Sequence, residues 1–342
     1  MDSLVSVIIL TFNSQDYIGR ALKSLRHQAY PHIEIVVVDN GSTDQTKEIV
    51  ESFGDIVWLS LPCSDMGMAR NHGVKHSCGN YLMFLDSDDF YLAHKVESQV
   101  SAMKSRPELD VLFSPAYIYR TGRTQKLGIK LNTHKRLDFI DFLRGSCYTL
   151  ATICIRRAAW DSHGLAFEED ELGRYGEDWR FQLSLAYKEV VFDVLDAPAV
   201  VVEIREDSHT SWEIQPKIKA LALSTVEGLL LGSGCVQLGS GQIQSILDSY
   251  RFKLAVSQIL VGRNMDARLT LRDIQSPIKV LVTWTLLMLV AVLPATWIRK
   301  LLELIWTKRQ ENTFHWSSLP QDVGLQIAAL IHNAPRIQSA HT

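Results

Sequence analysis

The stretch YLMFLDSDDF, residues 81–90, sets an apolar run directly against three aspartates, Asp86, Asp88 and Asp89. A short run of this kind reads as a strand buried on both faces. Carboxylates crowded at its end repel one another, so the arrangement costs energy unless solvent, backbone amides or a cation offsets it. Taken alone, D-S-D admits two readings. In an extended segment Asp86 and Asp88 face one cleft and offer hard oxygen ligands suited to Mg²⁺ or Mn²⁺. Alternatively, Ser87, Asp88 and Asp89 cap a helix running from Tyr91 toward Arg106.

The flanking sequence supplies the fold class. VSVIILTF (5–12), IEIVVVDN (33–40) and DIVWLS (55–60) read as further strands. Between them Tyr17, Ala21 and Leu25 fall at helical spacing after a cap at Asn13 or Ser14. A second helix is predicted from about Gln45 to Phe53, and a third in GMARNHGVKHS. Strand and helix alternate, which predicts an α/β fold with right-handed crossovers and a mostly parallel sheet. Asp39, Asp86 and Asp88 then stand at the carboxyl ends of parallel strands, where open α/β sheets collect ligands. Further along, VLFSPAYIY (111–119) and VVFDVLDAPAVVVEI (190–204) read as strands, with a helix starting near Gly176 between them. From Glu213 the pattern is mostly helical, interrupted by the linker-like GSGCVQLGSG (232–241). Ser276-Pro277 reads as N-cap and first position of a last apolar helix.

Composition narrows the function classes. The 342 residues are 46% hydrophobic and 21% charged, enough core material for one large domain and an appendage. A net charge of −3 gives no basic surplus, which argues against nucleic-acid binding. The five cysteines are scattered, without a C-x-x-C pair, and read as reduced thiols in a cytosolic setting. The apolar run Val5–Leu10 is too short for a secretory signal.

SVIILTFN, VVVDNGSTDQT, ARNHG, GNYLMFLDSDD and YGEDWRFQLSLA stand in one order at one spacing. Together they resemble the family 2 glycosyltransferases, over about residues 4–210. The resemblance implies a GT-A fold: a Rossmann-like, mostly parallel sheet flanked by helices, here with a C-terminal helical appendage. It implies a domain over 1–212, its nucleotide-binding half about 1–110 and its acceptor half about 111–212, followed by a helical region, 213–342. It further implies an inverting hexosyltransferase that takes a nucleotide-sugar, a UDP-sugar, with Mn²⁺ or Mg²⁺. Thr11, Phe12 and Asp39 would meet the nucleobase, Arg70 the base or diphosphate, Asp86 the ribose or metal, and Asp88 the metal. Asp178 of GEDW would be the general base. Arg205 is a further candidate for the diphosphate, and His209 a weaker one; Trp179 stacks on an acceptor sugar or packs in the core. The Q-x-x-R-W signature of processive synthases is absent, so one sugar is expected per encounter, on a glycan or lipid-linked acceptor. The departures lie at Ser77 and Asn80, where the family has Ala and Glu, and in GLAFEE near 164, where it has G-G-F-D-E. The alternative is a catalytically silent nucleotide- or partner-binding module. A haloacid-dehalogenase-type phosphohydrolase would carry D-x-D on its first strand, which this chain does not.

Residues 278–306 form the other distinctive segment. Val280 to Ile298 is 19 residues without a charge, close to the length that spans a bilayer. Pro294 interrupts it, and basic residues stand on both sides, from Arg263 to Lys279 and from Arg299 to Arg309. A single span would send one cluster across the membrane. Peripheral or re-entrant contact at the inner face of the cell membrane is therefore expected first, with a span or a buried helix as alternatives.

Overall fold

The computed structural model describes residues 3–62, 65–120, 126–130, 139–144, 148–170, 176–188, 190–204, 213–232, 238–292, 297–298, 300, 326 and 329–330. The chain divides into two compact units, Met1–Glu206 with Phe314–Thr342, and Asp207–Thr313.

The first unit begins with β1 (Val5–Thr11), α1 (Ile18–Arg26), β2 (Ile33–Asp39), α2 (Thr46–Glu51), β3 (Val57–Ser60), α3 (Met66–Lys75) and β4 (Tyr81–Asp86). It continues with β5 (Phe90–Tyr91), α4 (Lys95–Ser105), β6 (Val111–Phe113), β7 (Ala116–Arg120), β8 (Lys126–Lys130) and α5 (Phe139–Arg144). Then come β9 (Cys154–Arg156), α6 (Arg157–Ser162), α7 (Glu177–Tyr187), β10 (Phe192–Val194) and β11 (Val200–Ile204). Seven strands form one sheet in the order β10-β6-β9-β4-β1-β2-β3, parallel except for β9, which runs antiparallel to both β4 and β6. A second sheet has the order β5-β11-β7-β8.

Both faces of the large sheet are covered, which explains its uninterrupted apolar strands. Val5, Val7, Ile9, Val37, Met83 and Leu85 pack with residues of α1 and α4. Fully burying each such side chain stabilises by roughly 1.5–3 kcal/mol. On the other face α3 comes close enough that a Cβ on Gly73 would meet Ile8 Cγ2 at 2.5 Å. Only glycine fits there, and that approach lays Arg70, on the same helix, over the end of β4.

Several sequence expectations need correction. The cap expected at Asn13 or Ser14 is absent: α1 starts at Ile18, and the Ser14 carbonyl accepts from the amides of Tyr17 and Ile18. The helix expected from Tyr91 starts at Lys95, because Phe90 and Tyr91 pair with β11. VLFSPAYIY is two strands in different sheets, divided at Pro115, and the 190–204 run likewise divides between β10 and β11. Asp86 to Asp89 is a turn rather than extended chain, closed by the Asp89 amide on the Asp86 carbonyl at 3.0 Å.

The second unit holds α8 (Gln215–Gly232), α9 (Ser240–Leu260), α10 (Asn264–Arg272) and α11 (Pro277–Val292) around Ile259, Ala267, Leu271, Ile274 and Leu287. Pro277 opens α11 as read from the sequence, and the Asp248 carboxylate accepts from the Ser276 amide at 2.7 Å. Among the described residues no helix is long and apolar enough to cross a membrane. Pro294 lies outside them.

Candidate active site

A cavity of about 490 Å³ opens at the carboxyl ends of β1 and β4. Strand register builds its floor: Thr11 pairs with Asp39 on β2, and Leu10 with Asp86 on β4. Thr11, Phe12, Arg70, Asp86, Asp88 and Asp178 all line it, brought together from β1, α3, β4 and α7. Phe12 is 58% exposed, an aromatic face at the cavity wall. Thr11, Asn40 and Thr149 line the same cavity, and among the described residues Thr11 Oγ1, Asn40 Oδ1 and Thr149 Oγ1 are buried just behind its surface without hydrogen-bond partners. Buried polar atoms are rarely left so, and these suit a polar ligand.

Asp39 is placed differently. It is buried behind the lining, and its carboxylate accepts from the amides of Gly41 at 3.2 Å and Ser42 at 3.1 Å, and from the Ser42 hydroxyl. It folds the Asn40–Ser42 turn. Arg70 is also engaged: buried on α3, it donates from Nη1 to Glu177 Oε1 at 2.5 Å and from Nη2 to Asp86 Oδ1 at 3.2 Å. Burial disfavours its charge, but Glu177 and Asp86 outweigh that and raise its pKa. The guanidinium thus ties the end of β4 to the start of α7. Removing one partner of a buried pair costs about 3–5 kcal/mol. Arg70→Leu is expected to lower unfolding stability by that order in chemical denaturation; an unchanged midpoint would refute the tie.

Local chain geometry places Asp178. Gly176 has φ 75°, a left-handed conformation that favours glycine, and the helix starts immediately after it. Glu177 and Asp178 therefore fall in the first turn, where the helix dipole favours acids. Burial pushes the half-buried Asp178 carboxyl up to about 6, helped by the neighbouring Glu177 charge and opposed by the Trp179 amide and Arg70. Trp179 is core: it is buried, and its Nε1 donates to the Phe142 carbonyl at 2.8 Å. Arg205 and His209 lie outside the described residues.

Sequence reasoning missed Arg20 and Glu203, and gave Asp89 only a capping role. Asp89 is buried, accepts from the Glu203 amide at 3.0 Å, and is held well above the ordinary carboxyl range by burial and then by Asp88 and Asp86. Arg20 of α1 donates to the Asp88 carbonyl at 2.7 Å and to the Glu203 carboxylate. The only local signals were a charge inside an apolar run, Glu203 in AVVVEI, and an arginine on the buried face of α1. Among the described residues, the cavity lining holds Asp86, Asp88, Asp89, Glu177, Asp178 and Glu203 with one cation, Arg70. Among the described residues no three His, Cys, Asp or Glu side chains are grouped to hold a metal by themselves.

Residues 6–163 match the model of glycosyl transferase family 2. An uncharacterized glycosyltransferase of Haemophilus influenzae is 31% identical over 159 residues, 45% of this chain and 62% of that protein. The Escherichia coli UDP-Glc:alpha-D-GlcNAc-diphosphoundecaprenol beta-1,3-glucosyltransferase WfaP is 34% identical over 34% of this chain and 46% of its own length. The matches thus span only part of these relatives. The S. aureus TarS 1–349 structure in complex with UDP-GlcNAc superposes over 81% of this chain and 82% of its own, with a TM-score of 0.57 at 22% identity. That likeness extends the GT-A sheet architecture across the region that carries the acid-lined cavity. The region 6–163, which builds most of this sheet, is thus similar to glycosyl transferase family 2 and to named glycosyltransferases.

Proposed function

We propose that the chain is an inverting, non-processive glycosyltransferase that moves a sugar from a UDP-sugar to a hydroxyl of a glycan or lipid-linked acceptor. The observation that carries this reading is the cavity itself: an acid-rich turn, unpartnered polar atoms and a raised aspartate converge where the family 2 sheet ends. The names of relatives point the same way, since WfaP is described as using UDP-Glc and a diphosphoundecaprenol acceptor.

In this reading Phe12 stacks on the base, while Thr11 and the turn held by Asp39 meet its polar edge. The carboxyls present fit a hard divalent cation, because Asp86 and Asp88 line one cavity with hard oxygen donors on the same turn. Asp88 and Asp86 would hold Mg²⁺ or Mn²⁺, leaving other positions to diphosphate oxygens and water. When bound, the cation stabilises the charge of the departing nucleoside diphosphate. Arg70 sets the spacing of Asp86 and Glu177 and adds positive charge on the diphosphate side. Asp178 takes the proton of the acceptor hydroxyl from the opposite face of the sugar, so a single displacement inverts the anomeric centre. The segment 278–306 contacts the inner face of the membrane and keeps the enzyme near a lipid-linked acceptor.

The test is thermal unfolding of the full chain with UDP, UDP-sugars and GDP-sugars, each with and without Mn²⁺. A ligand that binds only the folded state raises the midpoint, since at a hundred times its Kd it adds about 2.7 kcal/mol of stability. The expected result is a shift with uridine nucleotides that depends on Mn²⁺. No shift with any nucleotide would end the donor reading. A shift without transfer or donor hydrolysis would favour a silent binding module.

A further inference from the structure

Helix α11 is uncovered along one side. Ile278 is 75%, Leu281 68% and Met288 65% exposed, and Val282 and Leu289 are also exposed. At about 100° per residue these positions make one continuous stripe, opposite the buried Thr283 and Leu287. Cations stand on both flanks of it. On one, Arg268 of α10 lies over the Trp284 ring at 5.9 Å. Met265 and Leu269, also on α10, add exposed apolar surface.

On the other flank three lysines gather. Lys279 donates to Ser249 Oγ at 2.7 Å. Lys253, one turn along α9 from Ser249, sits over the Tyr250 ring at 5.0 Å. Burial lowers the pKa of Lys253, and the charges of Lys219 on α8 and Lys279 lower it further, so the three ammonium groups feel one another. Nearby acids are already engaged: Glu227 pairs with Arg251 at 2.8 Å, and Asp248 caps the start of α11. Cations held together in this way favour an anion between or beside them.

An apolar stripe bordered by cations, with a tryptophan at the border, is the cross-section of a helix lying in a bilayer interface. A symmetric second copy would set the same lysines against themselves, which like-charge repulsion disfavours. We infer that α10 and α11 dock on an anionic lipid surface, the stripe entering the acyl boundary and Lys219, Lys253 and Lys279 taking headgroup phosphates. This rests on the membrane contact proposed above and is independent of the donor reading.

The experiment is co-sedimentation of the full chain with vesicles of phosphatidylcholine alone, or of equal parts phosphatidylcholine and phosphatidylglycerol. Binding to the anionic vesicles is expected, and it should fall as salt rises. Replacing the three lysines by Gln should weaken it on the order of a hundredfold, from the usual contribution of each lysine near an anionic surface. The salt series on unaltered protein serves as the second readout should that variant fold poorly. Equal, salt-independent binding to both vesicles would overturn the lysine site but leave the membrane contact standing. No binding to either would overturn both, and a concentration-dependent dimer in its place would assign the face to a second copy.

Discussion

Asp178→Asn is expected to slow transfer by roughly 10²–10⁴-fold, the usual contribution of a general base, and at the same time to raise the unfolding midpoint. The two effects share one cause. The Asp178 carboxyl is shifted from the ordinary 3.8 to about 6 by burial first and by Glu177 second. The fold therefore favours its neutral form more than the unfolded chain does, although the carboxylate still prevails at pH 7. Between pH 3.8 and about 6 the folded state holds a proton that the unfolded state has lost, so stability falls as pH rises through that window and then levels off. That difference corresponds to about 3 kcal/mol of destabilisation at neutral pH. The amide removes the charge but still accepts the Trp179 amide now bonded to Oδ1 at 2.7 Å. The variant should thus gain stability at pH 7 and little at pH 4. In the unaltered enzyme kcat/KM should rise with pH through an apparent pKa near 6, and the variant should lose that limb. Donor affinity should be nearly unchanged. A variant that keeps the rising limb would show that another group takes the proton.

The course of the polypeptide shows why part of this site was legible in the sequence. Asp39, Asp86 and Asp178 follow recognisable local punctuation, namely apolar strand ends and a glycine before a helix. Parallel alternation then fixes which end of the sheet they share. Proline gave usable warning too, since Pro115 inside VLFSPAYIY argues against one continuous central strand. Other features have no local signature. The antiparallel β9 enters between β4 and β6 through pairs such as Tyr81 with Arg156, and nothing in CIR predicts that partner. Arg20 and Glu203 lie 183 residues apart, and their meeting depends on β11 joining the short strand β5 beneath the acidic turn. Residues placed by motif also carry structural partners that the motif does not name. Arg70 bonds Glu177 and Asp86, and Asp39 holds the Asn40–Ser42 turn, contacts that no local pattern announces.

The same acidic turn gives the other large expected effect. Asp88→Asn should reduce transfer on the order of a thousandfold, because a bound cation contributes several kcal/mol to a charged departing group. The fold should survive. The anchor at this position is the backbone carbonyl that accepts from Arg20 Nη2 at 2.7 Å, and Asn leaves it intact. Stability without ligand should even rise slightly at neutral pH, since Asp88 is among the charges that hold the buried Asp89 above its ordinary range. The decisive comparison is with Asp86→Asn. Asp86 also receives Arg70 Nη2 at 3.2 Å, so its loss weakens the link to α7 as well as any cation. Thermal unfolding with UDP and a Mn²⁺ titration separates the two. Asp88→Asn should lose the Mn²⁺-dependent shift while keeping or slightly raising the unliganded midpoint, whereas Asp86→Asn should lower that midpoint. If Asp88→Asn turns over at the unaltered rate in saturating Mn²⁺, the cation does not sit on this turn. Positive charge for the departing diphosphate would then have to come from elsewhere in the site.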